Sequence, residues 1–311
     1  MIRGLAVSCL LFACGCATAQ TAYVANEKSG TVSVIDLARD EVIAEIPAGG
    51  KPRGMALSRD GKLLYVSDQP ANALRVIDLE KRAIASTIDL GESPEGVSIS
   101  PDGRWVAAAV EISNSVAFVD AAFGRLAFNV RTQGKNPEHA EFSPDGKWLY
   151  ASAEDADSVD VVDVERRAQV ASIKVGKRPR GIGFTPDGRR AYVACELAST
   201  VYAIDVATRT VLAAIPAGNF SNGVAVRPDG ARVFVSNGRD GTVSVIDTET
   251  NKIVATTAVG KRPWNMAISP DGAKLYVANG RSNSVSVLDT HTYRKLRDIA
   301  VGELPWGVVA R

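Results

Sequence analysis

Asp36, Asp78, Asp120, Asp163, Asp205, Asp247 and Asp289 stand 42 residues apart, with one step of 43, and Gly49, Gly91, Gly134, Gly176, Gly218, Gly260 and Gly302 keep pace with them. A repeat this regular, running from Tyr23 to the last of 311 residues, requires one supersecondary unit copied seven times. Each copy must bury its apolar faces against its neighbours. The sixth unit shows what is copied: Val233–Asn237, Thr242–Asp247, Lys252–Thr257 and Met266–Ser269 are four short β-branched runs separated by turn residues, with no apolar stretch at helical spacing. Four strands in about 42 residues, with no helix between repeats, make the blade of a β-propeller. The fold class is all-β: one seven-bladed propeller of four antiparallel strands per blade, over residues 20–311.

The turns agree with that pattern. Ser-Pro-Asp-Gly at Ser100–Gly103, Ser143–Gly146 and Ser269–Gly272 presets φ with proline and leaves the left-handed position to glycine. Related strings ending at Gly61, Gly188 and Gly230 complete six hairpins. The seven aspartates read as caps that accept backbone N–H groups of the turn after each third strand, and the seven glycines as backbone devices ahead of each innermost strand. Innermost strands are expected at Gly54–Ser58, Val97–Ser100, Ala140–Ser143, Gly181–Thr185, Gly223–Arg227, Asn265–Ser269 and Gly307–Ala310. The seventh is the C-terminus, whereas the chain enters the repeat at a second strand, Tyr23-Val24-Ala25. The last strand is therefore expected to close the ring by joining the N-terminal blade.

The strings Tyr23–Asn26, Thr31–Asp36, Tyr276–Asn279 and Ser269–Gly272 resemble the YVTN-type seven-bladed β-propeller repeat along the whole chain after residue 20. The opening Ala22–Lys28 and the closing Gly302–Val309 resemble a narrower set of periplasmic propellers associated with alcohol catabolism that depends on pyrroloquinoline quinone. That resemblance implies a quinoprotein dehydrogenase or transporter components as partners. It implies no reaction.

Residues 1–19 stand outside the repeat. Arg3, the short apolar stretch Leu5–Phe12 and Ala17-Thr18-Ala19 form a secretory signal with an A-x-A cleavage site. The mature chain is expected to start at Gln20 and to be periplasmic or secreted. A lipoprotein reading would instead use Cys14 or Cys16. Processing leaves Cys195 as the only cysteine, without a disulfide partner, read as a small buried hydrophobe.

Charge works by exclusion. Lys and Arg number 36 against 35 Asp and Glu, and without a long basic run this gives no footprint for nucleic acid. No stretch of the mature chain would span a membrane. No haem motif and no phosphate-cradling glycine loop is present, and with only two histidines, His139 and His291, neither a cofactor nor histidine-based metal chemistry is expected.

Candidate functional residues emerge from comparing the repeats at one position. The residue after the proline that precedes each inner strand (Ser221 in one unit) is expected to point into the channel mouth. It reads Arg53, Glu95, Glu138, Arg180, Asn222, Trp264 and Trp306, with His139 standing where glycine usually follows. A structural position would repeat one residue type, whereas aromatics and arginine in a concave mouth are the material of binding sites. The second loop on that face adds Glu27, Glu111, Glu154 and Glu196, with Asp68, Asn237 and Asn279 one place earlier. The plain alternative is a solvated rim. Three functions are compatible: a non-catalytic accessory protein recognising a small molecule or a periplasmic protein at the mouth, a metal-dependent lactonase-like hydrolase, or a surface or adhesion scaffold.

Overall fold

Thr31–Asp36, Thr242–Asp247 and Ser284–Asp289 repeat nearly the same β-branched string, and each forms the third strand of a blade. The computed structural model describes residues 20–311; the signal, lipoprotein and cleavage readings lie outside the described residues. The chain builds seven four-stranded antiparallel sheets. We number the blades I to VII from the N-terminus. Six of them take four consecutive strands. Blade I combines Thr21–Asn26, Thr31–Asp36 and Glu41–Pro47 with the C-terminal strand Pro305–Ala310, whose residues Ala310, Val309 and Val308 pair with Ala22, Tyr23 and Val24. The expected ring closure is thus observed, and no central sheet edge is left open.

The core lies between blades rather than within one. The interface of blades III and IV, for example, packs Trp105, Phe118 and Val130 against Phe142, Leu149 and Val162, and the interface of blades VII and I packs Tyr276 and Val287 against Val24, Ile35 and Val308. At roughly 1.5–3 kcal/mol for each large side chain taken from water, seven such seams hold the ring without cross-links. Cys195 belongs to the seam between blades IV and V. It is fully buried, and burial pushes its thiol up to about 12, so it stays a protonated small hydrophobe.

The aspartates cap as the pattern requires: Asp36 Oδ1 accepts the amides of Ala38 and Arg39 at 2.8 and 3.0 Å, and Asp289 Oδ1 those of His291 and Thr292 at 2.9 and 2.7 Å. These turns, together with the Ser-Pro-Asp-Gly hairpins, occupy one face. The loops entering the inner strands and those between second and third strands occupy the other, where the channel opens.

Two expectations need correction. The inner strands begin earlier than expected, at Pro52, Pro94, Pro137, Pro179, Ser221, Pro263 and Pro305, because the residues after each proline stay extended even though the pairing register breaks there, as between Pro137 and Ala140. The mouth ring therefore sits on strands and not on loops. Asp68, Asn237 and Asn279 are also not rim groups. All three are fully buried and clamp the preceding glycine loop: Asn237 Oδ1 accepts the Gly218 amide at 3.1 Å, Asn279 Oδ1 the Gly260 amide at 3.1 Å, and Asp68 Oδ1 the amides of Gly50 and Lys51 at 3.0 Å each. The approach is so close that a Cβ on Gly218 would lie 2.5 Å from the Asn237 carboxamide. This contact accounts for the glycine ladder at that place.

Candidate functional site

Rigid strands carry the mouth ring, so its charges are fixed in place before any ligand arrives. The ring divides into two ion-paired groups and an aromatic floor. Arg53 of blade II pairs with Glu95 of blade III, and its Nε lies 3.0 Å from Glu27 Oε2. Arg180 of blade V pairs with Glu138 of blade IV, with Glu154 Oε1 at 2.5 Å and with Glu196 Oε2 at 3.0 Å. Arg178 reinforces the second group, its Nε 3.2 Å from Glu154 and 3.4 Å from Glu196. Arg262 reaches in from blade VII, donating to Glu196 Oε1 at 2.7 Å. Glu95 is wholly buried, and Glu138, Glu154 and Glu196 are nearly so.

Burial of that many carboxylates splits their protonation. Burial and then the neighbouring Glu138 raise Glu95 well above the usual carboxylate range, with Arg53 only partly opposing. Burial also acts against Glu138, but Arg180, His139 and Arg53 outweigh it and hold that carboxylate ionised. Glu154 is pushed up to about 7 by burial and then by Glu138. Carboxyl oxygens of Glu95, Glu111 and Glu138 lie within 4.8 Å of one another, and Glu95 Oε2 is buried without a hydrogen-bond partner. Oxygen donors suit a hard divalent cation. Guanidiniums already pair with Glu95 and Glu138, however, so the trio is poorly suited to a metal.

The floor of the mouth is aromatic. His139 stacks on Trp306 with centroids 5.6 Å apart and planes 19° from parallel, and Arg53 lies over the same indole at 5.9 Å. Across the channel, His139 Nε2 meets Asn265 Oδ1 at 3.2 Å. Burial lowers the His139 basicity, with Glu138 acting the other way. Trp264 lies instead on the rim, over Gly280 and beside Arg262. Asn222 is buried on the blade VI strand and joins none of these pairs or stacks. Below the floor, a cavity of about 160 Å³ is lined by Glu141 and by apolar residues including Met55, Ile182 and Val308.

Several members were not picked out from the sequence: Gln69, whose Nε2 donates to Glu95 Oε1 at 2.6 Å, Arg178, Arg262, Asn265 and Glu141. A signal existed for Asn265. It and His139 are the two residues that replace the glycine found at Gly54, Gly96, Gly181, Gly223 and Gly307, where a Cβ at Gly54 would strike the Glu95 carbonyl at 2.3 Å.

Burial, with no compensating partner, pushes the Glu141 carboxyl up to about 8. Its folded value exceeds its ordinary value, so its contribution to stability is complete below about pH 4.5 and is lost as pH rises through about 8. Replacing Glu141 by Gln should leave stability unchanged near pH 4 and raise it near pH 9, by an amount on the order of 1–3 kcal/mol after screening by channel water. Thermal melts of both proteins across that range decide it; a constant offset would place the carboxylate in solvent.

Comparison with known proteins now adds the family. The model described as "Lactonase, 7-bladed beta-propeller" matches residues 82–170 and 164–300, more than half of the chain. The chain belongs to the seven-bladed β-propeller lactonase family. A YNCE-like β-propeller model matches residues 12–99 of this lactonase-family propeller. Among curated proteins none matches. Solved structures that resemble it include the hydrazine synthase of Kuenenia stuttgartiensis (24% identity, TM-score 0.81, covering 87% of this chain and 92% of that one). A Bacteroides fragilis protein provisionally named a 6-phosphogluconolactonase is similar too (21%, TM-score 0.80, 96% and 99%), as is a dihydro-heme d1 dehydrogenase (19%, TM-score 0.70, 93% and 74%). At these identities the likeness is one of fold.

Proposed function

We propose that this lactonase-family propeller is an exported binding protein whose channel mouth recognises a small polar molecule. The observation that carries this reading is the set of nearly buried ion pairs around Glu95 and Glu138, built at ring positions where the repeat would otherwise place one residue type. Burying ion pairs brings little net stability compared with an apolar core, so the repeated scaffold gains nothing obvious from them. A preformed set of donors and acceptors beside an aromatic floor is what fixes a ligand's orientation.

A second reading, hydrolysis of a lactone, is favoured by the split protonation of Glu95 and Glu138 and by the family. A neutral carboxyl beside an ionised one supplies a general acid and a general base. In that reading Glu138 would activate water and Glu95 would protonate the departing oxygen.

The test is a thermal-shift and calorimetric survey of sugar lactones, hydroxy acids and metabolites of quinone-dependent alcohol oxidation. A ligand should be found whose affinity falls at least tenfold in Glu95→Gln and about thirtyfold in Trp264→Ala, the scale of a lost aromatic anchor worth ~2 kcal/mol. Both variants should melt within a few degrees of the parent. Turnover of that ligand, abolished by Glu138→Gln, would select the hydrolytic reading. Unchanged affinity in both variants would remove the mouth as the site.

A further inference from the structure

The rim reverses its charge within the repeat. At the first position after the second strand, blades I, III, IV and V carry Glu27, Glu111, Glu154 and Glu196, whereas blades VI and VII carry Gly238 and Gly280, each followed by an arginine, Arg239 and Arg281. These two glycines open space for their neighbours. A Cβ on Gly280 would lie 2.3 Å from the Trp264 ring, and one on Gly238 would lie 3.1 Å from the Arg262 guanidinium. Beside these side chains a groove of about 810 Å³ runs between blades VI and VII, lined by Phe220, Arg239, Lys261, Arg262 and Arg281.

Its positive charge is only partly compensated. Asp240, the acidic residue of the groove, is occupied by Asn219, whose amide and Nδ2 donate to it at 2.7 and 2.9 Å. Arg239, Lys261 and Arg281 join no ion pair among the described residues. The guanidiniums of Arg239 and Arg262 lie 5.8 and 5.3 Å from the Phe220 centroid, which holds two cations over one ring. Four cations around the single carboxylate of Asp240 leave a net positive charge whose repulsion an arriving anion relieves.

We propose that this groove is an anion subsite that takes a phosphate or carboxylate group of a small molecule, with Arg239, Lys261 and Arg281 as its cationic walls. Arg262 connects it to the mouth, because the same side chain that lines the groove donates to Glu196, which Arg180 links to Glu138. The extension of the subsite to the mouth ligand rests on the reading given above: that ligand would carry its anionic group over blades VI and VII and its uncharged polar end over Glu95 and Glu138.

The experiment titrates the whole protein with inorganic phosphate and, separately, with acetate, at low and at physiological salt, by calorimetry and amide chemical shifts. Phosphate should bind in the millimolar range or tighter, with shifts at Gly238, Lys261 and Arg281, and weaken as salt is raised. The double variant Arg239→Gln/Arg281→Gln alters two exposed side chains and should keep the melting temperature while losing at least tenfold in phosphate affinity. Glu95→Gln should leave phosphate affinity unchanged. No phosphate or acetate binding at low salt, or equal binding by the double variant, overturns the subsite whatever becomes of the mouth. Phosphate binding lost in the double variant, together with a mouth ligand that binds equally to parent and double variant, keeps the subsite and overturns its connection to the mouth.

Discussion

Removal of Glu303–Arg311 is expected to yield a protein that aggregates at ambient temperature. The deleted strand Pro305–Ala310 is the inner strand of blade I, and it carries the buried Trp306 and Val308. Those two side chains alone represent roughly 3–6 kcal/mol of burial. Their loss also strips Val24 and Ile35 of partners in the seam between blades VII and I. Unpaired amides of Tyr23 and Ala25 would then face solvent as a free sheet edge, a template for association. Net stabilities of domains are ~5–15 kcal/mol, so this deletion removes a large part of the total. Light scattering and a thermal melt of the truncated protein check it; a soluble monomer with the parental melting temperature would mean that the ring does not depend on its clasp.

Replacing Arg180 by Ala should be the most damaging single change at the mouth. One guanidinium there pairs with Glu138, Glu154 and Glu196, all nearly buried. Arg178 and Arg262 still pair with Glu154 and Glu196, so withdrawing Arg180 leaves the buried Glu138 charge without its ion-pair partner, a loss of about 3–5 kcal/mol. At roughly 2–4 °C per kcal/mol for a domain of this size class the melting temperature should fall on the order of 10 °C. The effect has a direction in pH. Without Arg180 the carboxyls of Glu138 and Glu154 should bind protons more tightly in the folded chain than in the unfolded one, so stability is retained at low pH and lost as pH rises through their raised values. Glu154 already sits at about 7 with the arginine present. The variant should therefore approach the parent near pH 5 and fall furthest behind near pH 8. Equal melting curves at both values would show that water, not Arg180, compensates these charges.

The fold could be read from the sequence because a repeat constrains every copy at once: seven aspartates in register leave few architectures that place them all alike, and the joining of the last strand to the N-terminal blade follows from counting strands. The mouth was legible only in part. Arg53, Glu95, Glu138 and Arg180 stood out as departures from the repeat, but their pairing did not, because contacts such as Arg53 to Glu95 cross between blades 42 positions apart. Arg262 was hidden for the same reason, meeting Glu196 across 66 positions. Asp68, Asn237 and Asn279 misled because a polar residue at a strand end reads equally as a rim group or a loop clamp, and only the proximity of the glycine backbone separates the two. Trp264 and Trp306 share one repeat position yet differ in role, since the ring of one lies over Gly280 at the rim and the other faces His139 in the channel.

The clasp that closes the ring also gathers both ends of the described chain on one face. Thr21 and Arg311 exchange backbone hydrogen bonds at 3.0 and 2.9 Å, and the Leu37 amide donates to the Gln20 carbonyl at 3.1 Å. Both ends of the described chain therefore leave side by side from the hairpin face, opposite the channel mouth. Whatever is joined to either end, whether a lipid, a carrier domain or a laboratory support, would hold the propeller like a dish on a stalk, with its bowl turned outward.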